Sequence, residues 1–293
     1  MHLAHLGILR FTGPDALSFL QGQVSSDTRR LADNVSLLSS YSSPQGRVLA
    51  LIYLLPHSSG IAAILPREIL QPTLERMRKF VLRAKVKIED AGDSLQIAGV
   101  HGEQALRSLG LPVPESPNGY VEHHGIGVAR VQNDANRFWV IGAAAKLAGA
   151  GAAAAGSSDA WRLADIRAGL PQVYAATSEA FVAQMLNLDL LDGISFTKGC
   201  YTGQEIVERV RSRGQVNRVR VTLKYATPQP PAPGAPLISE GKEAGYTTRS
   251  AFSPALNAPI GMAYLRREKS TPGSIVELVD SASSATVINT PIA

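Results

Sequence analysis

A proline-rich stretch, Thr227–Pro236, limits what this chain can fold into more than any other segment. Five of its ten residues are proline. Proline lacks a backbone N–H and fixes φ, so the stretch favours an extended connector over a helix or a central strand. After it, strand-like runs alternate with turn residues at Leu237–Ser239, Ala244–Ser250, Ile260–Leu265 and Ser274–Val279. Because helical and strand patterns mix before the stretch and strands follow it, the sequence predicts an α+β fold that ends in a small antiparallel sheet or barrel.

The part before the proline-rich stretch divides into short helices and strands. Spacings of three and four between Leu17, Leu20 and Val24 give one apolar stripe, which predicts the first helix. The range Gly142–Gly156 is almost wholly Ala and Gly, which favours a helix ending in a flexible tip. The other predicted elements are strands over Leu3–Phe11, Ala84–Ile88 and Leu95–Val100, two strands in Ser39–Leu55 around a turn at Ser43–Gly46, and helices over Arg67–Phe80, Gly102–Leu109 and Asp159–Ala168.

Composition and charge are those of an ordinary soluble globular protein. Of the 293 residues, 45% are hydrophobic and 18% are charged, and the formal net charge is +5. That moderate excess suits an anionic ligand or a transient RNA contact, and it also suits solubility alone. No apolar run reaches the roughly 18–20 residues that span a bilayer, and the N-terminus does not look like a secretory signal. We therefore expect a cytoplasmic protein with no membrane partner.

The chain has a single cysteine, Cys200. One thiol excludes an intrachain disulfide and any all-thiolate zinc or iron–sulfur site built by this chain alone. The histidines do not replace it, because His2 and His5 are expected on opposite faces of a strand and His123–His124 in an exposed turn. The sequence therefore predicts no metal site of its own.

Cys200 lies in the segment with the most chemical content. Gly199 and Gly203 flank it, and glycine allows positive φ and close approach of a ligand to the backbone. From Gly203 onward, Ile206 and Val207 fall on one face of a predicted helix. Cys200 thus precedes a helix N-terminus, where free N–H groups and the helix dipole favour a reactive thiolate. The alternative is a small buried hydrophobic side chain, the usual environment of a free cysteine.

Three neighbours of Cys200 have two readings each. Lys198 is either a cation that favours the thiolate or contacts an anion, or a solvated surface lysine. Gln204 and Glu205 either cap the helix or contact a ligand.

The run Lys198-Gly-Cys-Tyr-Thr-Gly-Gln-Glu205 resembles the Lys-Gly-Cys-Tyr-x-Gly-Gln-Glu signature of the YgfZ family, which is related to the aminomethyltransferase (T-protein) of the glycine cleavage system. An eight-residue match with one free position is specific. The likeness covers nearly the whole chain, since further segments resemble the family at Thr12–Asp15, Phe19–Val24, Asn187–Phe196 and Gly241–Tyr264.

This resemblance implies a T-protein-like ring of domains around a central folate pocket. It places two α+β subdomains in residues 1–220 and a β-barrel in residues 221–293. It implies tetrahydrofolate or a folate derivative as cofactor, and a role in assembling or repairing iron–sulfur enzymes, including enzymes that thiomethylate tRNA. The implied partners are those client enzymes or assembly proteins, with a transient tRNA contact.

The resemblance also assigns candidate site residues. Cys200 matches the cysteine needed for the family's role, and Trp161 matches an aromatic residue placed against the folate. Leu6 stands where the family has a second tryptophan; it can pack on the ligand's rings but loses aromatic stacking. The remaining candidates are the signature residues around the cysteine and one helix residue beyond it: Lys198, Gly199, Tyr201, Gly203, Gln204, Glu205 and Arg209.

Two departures from the T-protein pattern argue against aminomethyl transfer. T-proteins have an acidic pair where this chain has Arg47–Leu55, a stretch without any acid, so the proton chemistry at the folate nitrogen lacks its carboxylate. They also have a pterin-binding glutamate where this chain has Arg167. A guanidinium cannot accept pterin N–H bonds, although it can bind a carboxylate or phosphate. Arg167 is therefore a candidate folate contact through such a group, and the alternative is an ordinary charge on a helix face.

Two other functions stay open on the sequence. One is a folate-dependent one-carbon transferase of the aminomethyltransferase type, which needs a carboxylate from elsewhere in the fold. The other is an RNA-binding module, based on the arginine cluster at positions 209, 211, 213, 218 and 220. No base-stacking aromatic partner is expected among those arginines, which favours an ordinary solvated surface.

Overall fold

Strand pairing organises the chain into two antiparallel sheets and one barrel. The computed structural model describes residues 1–92, 94–152, 158–281 and 283–289. The strands are β1 Leu6–Thr12, β2 Leu37–Ser42, β3 Val48–His57, β4 Gly60–Pro66, β5 Lys87–Asp90, β6 Gln96–His101, β7 Tyr120–His123, β8 Ile126–Arg130, β9 Arg137–Gly142, β10 Arg218–Tyr225, β11 Pro236–Ser239, β12 Lys242–Ser253, β13 Ala258–Arg266, β14 Ile275–Leu278 and β15 Ser284–Asn289. The α-helices are α1 Ala16–Gln23, α2 Arg67–Arg78, α3 Glu103–Ser108, α4 Ala144–Gly149, α5 Ser158–Arg167 and α6 Gln204–Arg213.

The first sheet has five strands in the order β2-β3-β4-β1-β5. Its strand β3 is largely apolar because both of its faces are covered. Leu51 and Tyr53 point into one buried cluster, whereas Ile52 and Leu54 point into the cluster that contains α1 and α2, as the period of two requires. The predicted turn before β3 is confirmed, since the Gly46 N–H donates to Ser43 O at 2.8 Å.

One predicted strand of this region has wrong bounds. The segment predicted over Ala84–Ile88 pairs with β1 only from Lys87 onward, as strand β5. Its earlier part bonds to the start of α1 instead, where the Lys85 N–H donates to Asp15 Oδ2 at 2.7 Å. The competing partner for the backbone explains the difference.

The second sheet has four strands in the order β6-β9-β8-β7. Helices α3 and α4 cover one face through Leu106 and Leu147. The Ala/Gly-rich helix predicted over Gly142–Gly156 is shorter than expected, because Gly142 is the last residue of β9 and α4 spans Ala144–Gly149. Most of the predicted tip, residues 153–156, lies outside the described residues.

The C-terminal strands close into a six-stranded antiparallel barrel in the order β10-β13-β12-β11-β14-β15. The proline-rich stretch is therefore not a connector between the two parts of the chain. It belongs to the barrel unit itself. There it joins β10 to β11, two strands that are not neighbours. Prolines cannot complete a strand ladder, so they suit this crossing segment. The barrel begins at Arg218, and the division of the chain at residue 220 stays a prediction.

One buried cluster joins all three units. It contains Ile8 and Tyr53 from the first sheet, Trp139 from the second, Trp161 from α5 and Tyr264 from the barrel. The predicted α+β class with a small C-terminal antiparallel barrel is confirmed. None of the helices in the described ranges is long and apolar enough to cross a membrane.

Candidate functional site

A small cavity lies where the two sheets and the barrel meet. Its lining includes Leu6 at the start of β1, Trp161 and Asp165 on α5, Trp139 on β9 and Arg249 on β12. Its volume is about 10 Å³, which is room for one water molecule. We call it the closed cavity.

Charged side chains form a buried network at the closed cavity. Asp165, only 8% exposed, accepts a hydrogen bond from Arg137 Nη1 at 2.6 Å. Its other oxygen lies 2.8 Å from Arg249 Nη1 as an ion pair without hydrogen-bond alignment. Asp134 pairs with Arg137 Nε at 2.6 Å, so two carboxylates balance two guanidinium groups. Arg137 also lies 4.7 Å from the centre of the Trp161 ring, which fixes the indole beneath it.

Several donors of this network lack partners. Among the described residues, Arg249 Nε, Arg137 Nη2 and Trp139 Nε1 are buried without a hydrogen bond. Buried donors in native proteins are nearly always satisfied by protein, water or a ligand. The donor set therefore suits a ligand rich in hydrogen-bond acceptors.

His5 adds a titratable group to the same region. Burial, together with the nearby Arg162 and Arg249, lowers the pKa of His5 to about 4. Its Nδ1 is also buried without a partner in the described part of the chain. The imidazole is therefore neutral at physiological pH.

The structure brings together two of the three residues predicted at the folate. Leu6 and Trp161 line the same cavity, whereas Arg167 does not. Arg167 lies exposed on α5 with a 3.5 Å contact to Ser253 Oγ, as the alternative of an ordinary helix-face charge expects, and a contact between Arg167 and a folate stays a prediction. Two residues along a helix turn the side chain by about 200°, so Asp165 faces the cavity and Arg167 faces away.

Sequence reasoning missed the charged residues of the cavity. Asp165 follows Trp161 by four residues on a predicted helix, and that spacing could have placed both on one face. Arg137 and Arg249 gave no local signal. Their positions depend on strand pairing far along the chain.

Cys200 lies on a different part of the surface, in an open groove of about 910 Å³ that we call the Cys200 groove. Its lining includes Pro44, Phe80, Tyr201 and Arg209. The thiol is exposed, so the alternative of a buried hydrophobic cysteine is wrong. Cys200 precedes α6 by four residues, as predicted.

Glycine contacts hold the cysteine loop in place. Gly203 has φ of 85° and precedes α6 directly, and a Cβ there would lie 2.9 Å from Ser43 O. A Cβ on Gly46 would lie 2.4 Å from the Cβ of Ile206. The Ser43–Gly46 turn therefore packs against the first turn of α6. Gly199 differs from the prediction, since its φ is not positive and a Cβ there would have no described atom within 4 Å.

Burial overturns one of the two interpretations of Lys198. It is only 6% exposed, so it is not a solvated surface lysine. Its ammonium donates to Val24 O and Ser26 O, each at 2.8 Å, and lies 5.0 Å from the centre of the Tyr201 ring. Both of these partners are neutral carbonyl oxygens, and a role of Lys198 beside the thiolate or an anionic ligand stays a prediction. Burial lowers the pKa of Lys198 to about 8, and the residue fastens the cysteine loop to the segment after α1.

Gln204 and Glu205 make local contacts at the start of α6, although neither caps the helix with its side chain, and a ligand contact by either stays a prediction. Gln204 Oε1 accepts a hydrogen bond from the Tyr201 N–H at 3.3 Å, which stabilises the entry to α6. Glu205 is exposed and pairs with Arg209 one turn later at 3.7 Å. No group of three His, Cys, Asp or Glu side chains suited to a metal ion occurs within the described ranges.

An aromatic partner for the arginine cluster is present after all. The Arg211 guanidinium lies 4.7 Å from the centre of the Phe196 ring, and Phe196 is 36% exposed. Both line a groove of about 570 Å³ with Gln215 and Arg267, which we call the Phe196 groove. The expectation of no aromatic partner was wrong because only the fold brings Phe196 beneath α6.

The barrel and the chain as a whole are similar to known proteins. Residues 218–292 match the glycine cleavage T-protein C-terminal barrel domain. The tRNA-modifying protein YgfZ of Pectobacterium carotovorum subsp. carotovorum (strain PC1) is 33% identical over 77% of this chain and 70% of its own length. The chain belongs to the YgfZ family.

Other YgfZ proteins match in the same way. The protein of Escherichia coli (strain SE11) is 31% identical over 81% of this chain and 75% of its own length. The protein of Hamiltonella defensa subsp. Acyrthosiphon pisum (strain 5AT) is 33% identical over 71% of this chain. That match spans 64% of the relative, which is less than two thirds of its length.

The fold of this YgfZ chain is similar to that of the glycine cleavage system aminomethyltransferase T from Bartonella henselae. The two superpose with a TM-score of 0.72 and 19% identity, over 98% of this chain and 84% of the other. At that identity the likeness concerns the fold alone. It confirms the T-protein-like architecture that the YgfZ signature implies.

Proposed function

We propose that this chain is a cytoplasmic folate-binding protein that supports the assembly or repair of iron–sulfur enzymes, including tRNA-thiomethylating enzymes, through Cys200. Its relatives are named tRNA-modifying protein YgfZ, which supports the link to tRNA modification. The observation that carries the proposal is the pairing of two unlike sites on one T-protein-like fold. One is a buried aromatic cavity with unsatisfied donors, and the other is an exposed thiol in an open groove.

The side chains at the closed cavity fit the chemistry of a folate. Trp161 and Leu6 offer apolar surfaces to a flat ring. Asp165 can accept N–H bonds of a pterin, which takes over the task that Arg167 cannot perform. Arg249 and Trp139 carry donors without partners for the ring's acceptors. The volume of about 10 Å³ is too small for a pterin, so binding requires the cavity to open. When bound, the folate would supply a carrier for one-carbon groups.

Cys200 would act on a group that another molecule holds. One thiolate cannot hold an iron–sulfur cluster alone, and an open groove of about 910 Å³ admits part of a macromolecular partner. The thiolate would serve as a nucleophile, a persulfide carrier or one ligand of a cluster shared with the client enzyme. In each case the sulfur itself is required.

Calorimetry with tetrahydrofolate under reducing conditions tests the folate part. We expect saturable binding by the wild type and at least about tenfold weaker binding by Trp161→Ala and Asp165→Asn, because each loses a contact worth more than about 1.4 kcal/mol. Phe196→Ala is the matched aromatic control and should bind normally. No binding by the wild type, or equal binding by Trp161→Ala, would refute a folate site here.

Complementation tests the cysteine. In cells that lack the endogenous protein, Cys200→Ala and Cys200→Ser should fail to restore iron–sulfur enzyme activity, while Ser108→Ala on the exposed side of α3 should restore it. Full restoration of iron–sulfur enzyme activity by Cys200→Ala would refute the proposed role of the thiol. Both cysteine variants should still bind tetrahydrofolate, which separates the two halves of the proposal.

An RNA contact is a second candidate function, favoured by the Phe196 groove. An exposed aromatic ring beneath an arginine, with further arginines nearby, is the combination that stacks unpaired bases and binds phosphates. We expect tRNA binding that weakens steeply with salt and that weakens several-fold in Phe196→Ala. Phe252→Ala, an exposed aromatic on β12, is the control. Binding that is unaffected by Phe196→Ala would leave only non-specific attraction to the basic surface.

A further inference from the structure

A third cavity, separate from both proposed sites, lies between α2 and the edge of the first sheet. Its volume is about 520 Å³, within the usual range for small-molecule sites. One wall is apolar and consists of Leu49, Ile69, Pro72 and Phe80. We call it the Tyr41 cavity. It meets the Cys200 groove at one residue, since Phe80 lines both.

The polar wall of this cavity carries two donors that the described residues leave unused. Tyr41 is only 1% exposed, and its hydroxyl has no hydrogen-bond partner there. The neighbouring Arg76 has a buried Nε that is likewise unpartnered. Burial raises the pKa of Tyr41, and the charge of Arg76 together with the hydrogen-bonding approach of its guanidinium to the phenol oxygen opposes that rise. The phenol stays neutral, and its own proton remains able to donate. Two buried donors side by side on a cavity wall are arranged for an acceptor from outside the chain.

The charges around the cavity limit the ligand. Arg76 and Lys79 bring two positive charges to the lining. The two acids of the lining are engaged, since Glu68 Oε1 accepts from the Ala175 N–H at 2.7 Å and Glu75 Oε1 accepts from Gln71 Nε2 at 2.8 Å. The two cations and the two carboxylates of the lining cancel. A dianion such as phosphate would therefore be repelled by the carboxylates with no excess of positive charge to offset that repulsion. A single negative charge beside Tyr41 and Arg76 avoids that repulsion.

We propose that the Tyr41 cavity binds a small organic monocarboxylate with an apolar body. The carboxylate accepts hydrogen bonds from the Tyr41 hydroxyl and the Arg76 guanidinium, a charge-assisted arrangement. The apolar body packs on Ile69, Pro72 and Phe80. Pro72 suits this wall because its ring is rigid and it leaves no N–H to satisfy at the cavity surface.

Titration of the isotope-labelled full chain with 3-phenylpropionate, followed by NMR, tests the site. We expect saturable shifts at Tyr41 and at the Arg76 Nε–H. The neutral amide of the same acid should bind at least about tenfold more weakly, because it lacks the charge that Arg76 recognises. Inorganic phosphate should not compete with 3-phenylpropionate.

Variants locate the binding. Arg76→Gln should weaken it at least about tenfold and Tyr41→Phe at least about threefold, as expected for a lost charged and a lost neutral hydrogen bond. Arg83→Gln removes the same charge outside the cavity and should bind as the wild type. Trp161→Ala should also bind normally, which keeps this site distinct from any folate site. Tyr41→Phe keeps the ring and removes an unpartnered hydroxyl, so the variant should remain folded.

Three outcomes would overturn the proposal. They are no saturable binding by the wild type, equal affinity for the acid and the amide, and affinity unchanged by both Arg76→Gln and Tyr41→Phe. Strong competition by phosphate would contradict the monoanion assignment and mark the site as a phosphate pocket instead.

Discussion

The closed cavity holds about 10 Å³ and the Cys200 groove about 910 Å³, and the charged residues that line them are in opposite situations. At the closed cavity Asp165 and Arg249 are almost fully buried and joined in one network. At the groove Glu205 and Arg209 stand in solvent and form a loose pair across one helical turn. Both regions contain charged side chains. Only at the closed cavity does the stability of the fold depend strongly on how those charges are paired.

This difference separates the chemistry that each region suits. A buried network with spare donors is selective, and it suits a small ligand that enters when the cavity opens. An exposed thiol over glycine-anchored backbone suits a partner that brings its own reacting group. Substitutions should therefore cost stability at the closed cavity, and should leave stability largely unchanged among the side chains exposed in the groove.

The strongest test of that comparison is Arg249→Met against Arg209→Met. Removing Arg249 leaves Asp165 with Arg137 alone and takes away the bond to Tyr174 Oη, 3.2 Å long. Breaking one partner of a buried ion pair costs about 3–5 kcal/mol, whereas an exposed pair contributes at most about 1 kcal/mol. Urea unfolding of the two variants measures both values. Similar small losses would mean that the closed cavity is not an electrostatically coupled network.

Lys198 provides a second test of the comparison, because it belongs to the sequence signature around Cys200 but its side chain is buried. Lys198→Met keeps the stem and removes the ammonium that bonds to Val24 O and Ser26 O. We expect a loss of about 2–3 kcal/mol in the free energy of unfolding, as for hydrogen bonds to a charged group. Glu205→Gln, at an exposed position in the first turn of α6, should change the free energy of unfolding by less than about 0.5 kcal/mol. Equal stabilities of the two variants would show that Lys198 does not fasten the loop.

The two glycines that flank Cys200 in the signature, Gly199 and Gly203, provide a matched pair of substitutions. Gly203→Ala forces a Cβ onto backbone with φ of 85°, at 2.9 Å from Ser43 O, and should cost about 1–2 kcal/mol. Gly199→Ala meets no described atom within 4 Å and should stay within about 0.5 kcal/mol of the wild type. Thermal and urea unfolding report both. A larger loss at Gly199 than at Gly203 would reverse the assignment of the structural glycine.

How much of these sites the sequence could predict depends on how far apart along the chain the contacting residues lie. The turn at Ser43–Gly46, the start of α6 and the exposed setting of Cys200 follow from local patterns or the family signature. The meeting of Leu6 and Trp161 followed from the resemblance. Periodicity alone does not predict that meeting, because the contact joins segments far apart along the chain.

The buried charges were beyond local reasoning for the same reason. Lys198 looks like a surface residue beside a glycine, yet its partners lie 172 and 174 residues earlier in the chain. Arg249 lies on a strand whose register is shifted by a bulge between Thr247 and Arg249. A bulge changes which face a side chain occupies, so alternation along β12 could not have placed Arg249 at the cavity.

Acid titration provides the finest test, because His5 lies beside the closed network. Its pKa is about 4 in the folded chain and near 6.5 in the unfolded chain. Between those values the unfolded state binds more protons, so stability falls as the pH is lowered. We expect His5 to remove about 1 kcal/mol between pH 6 and pH 5. His57, whose pKa is also lowered by burial, adds a loss of the same sign.

His5→Gln isolates the contribution of the closed cavity. The variant should lose less stability than the wild type over the same pH interval, measured by urea unfolding at each pH. His101→Gln, at an exposed position at the end of β6, is the control and should keep the wild-type slope. An unchanged slope in His5→Gln would mean that solvent reaches the imidazole in the folded chain and that His5 is not coupled to the buried network.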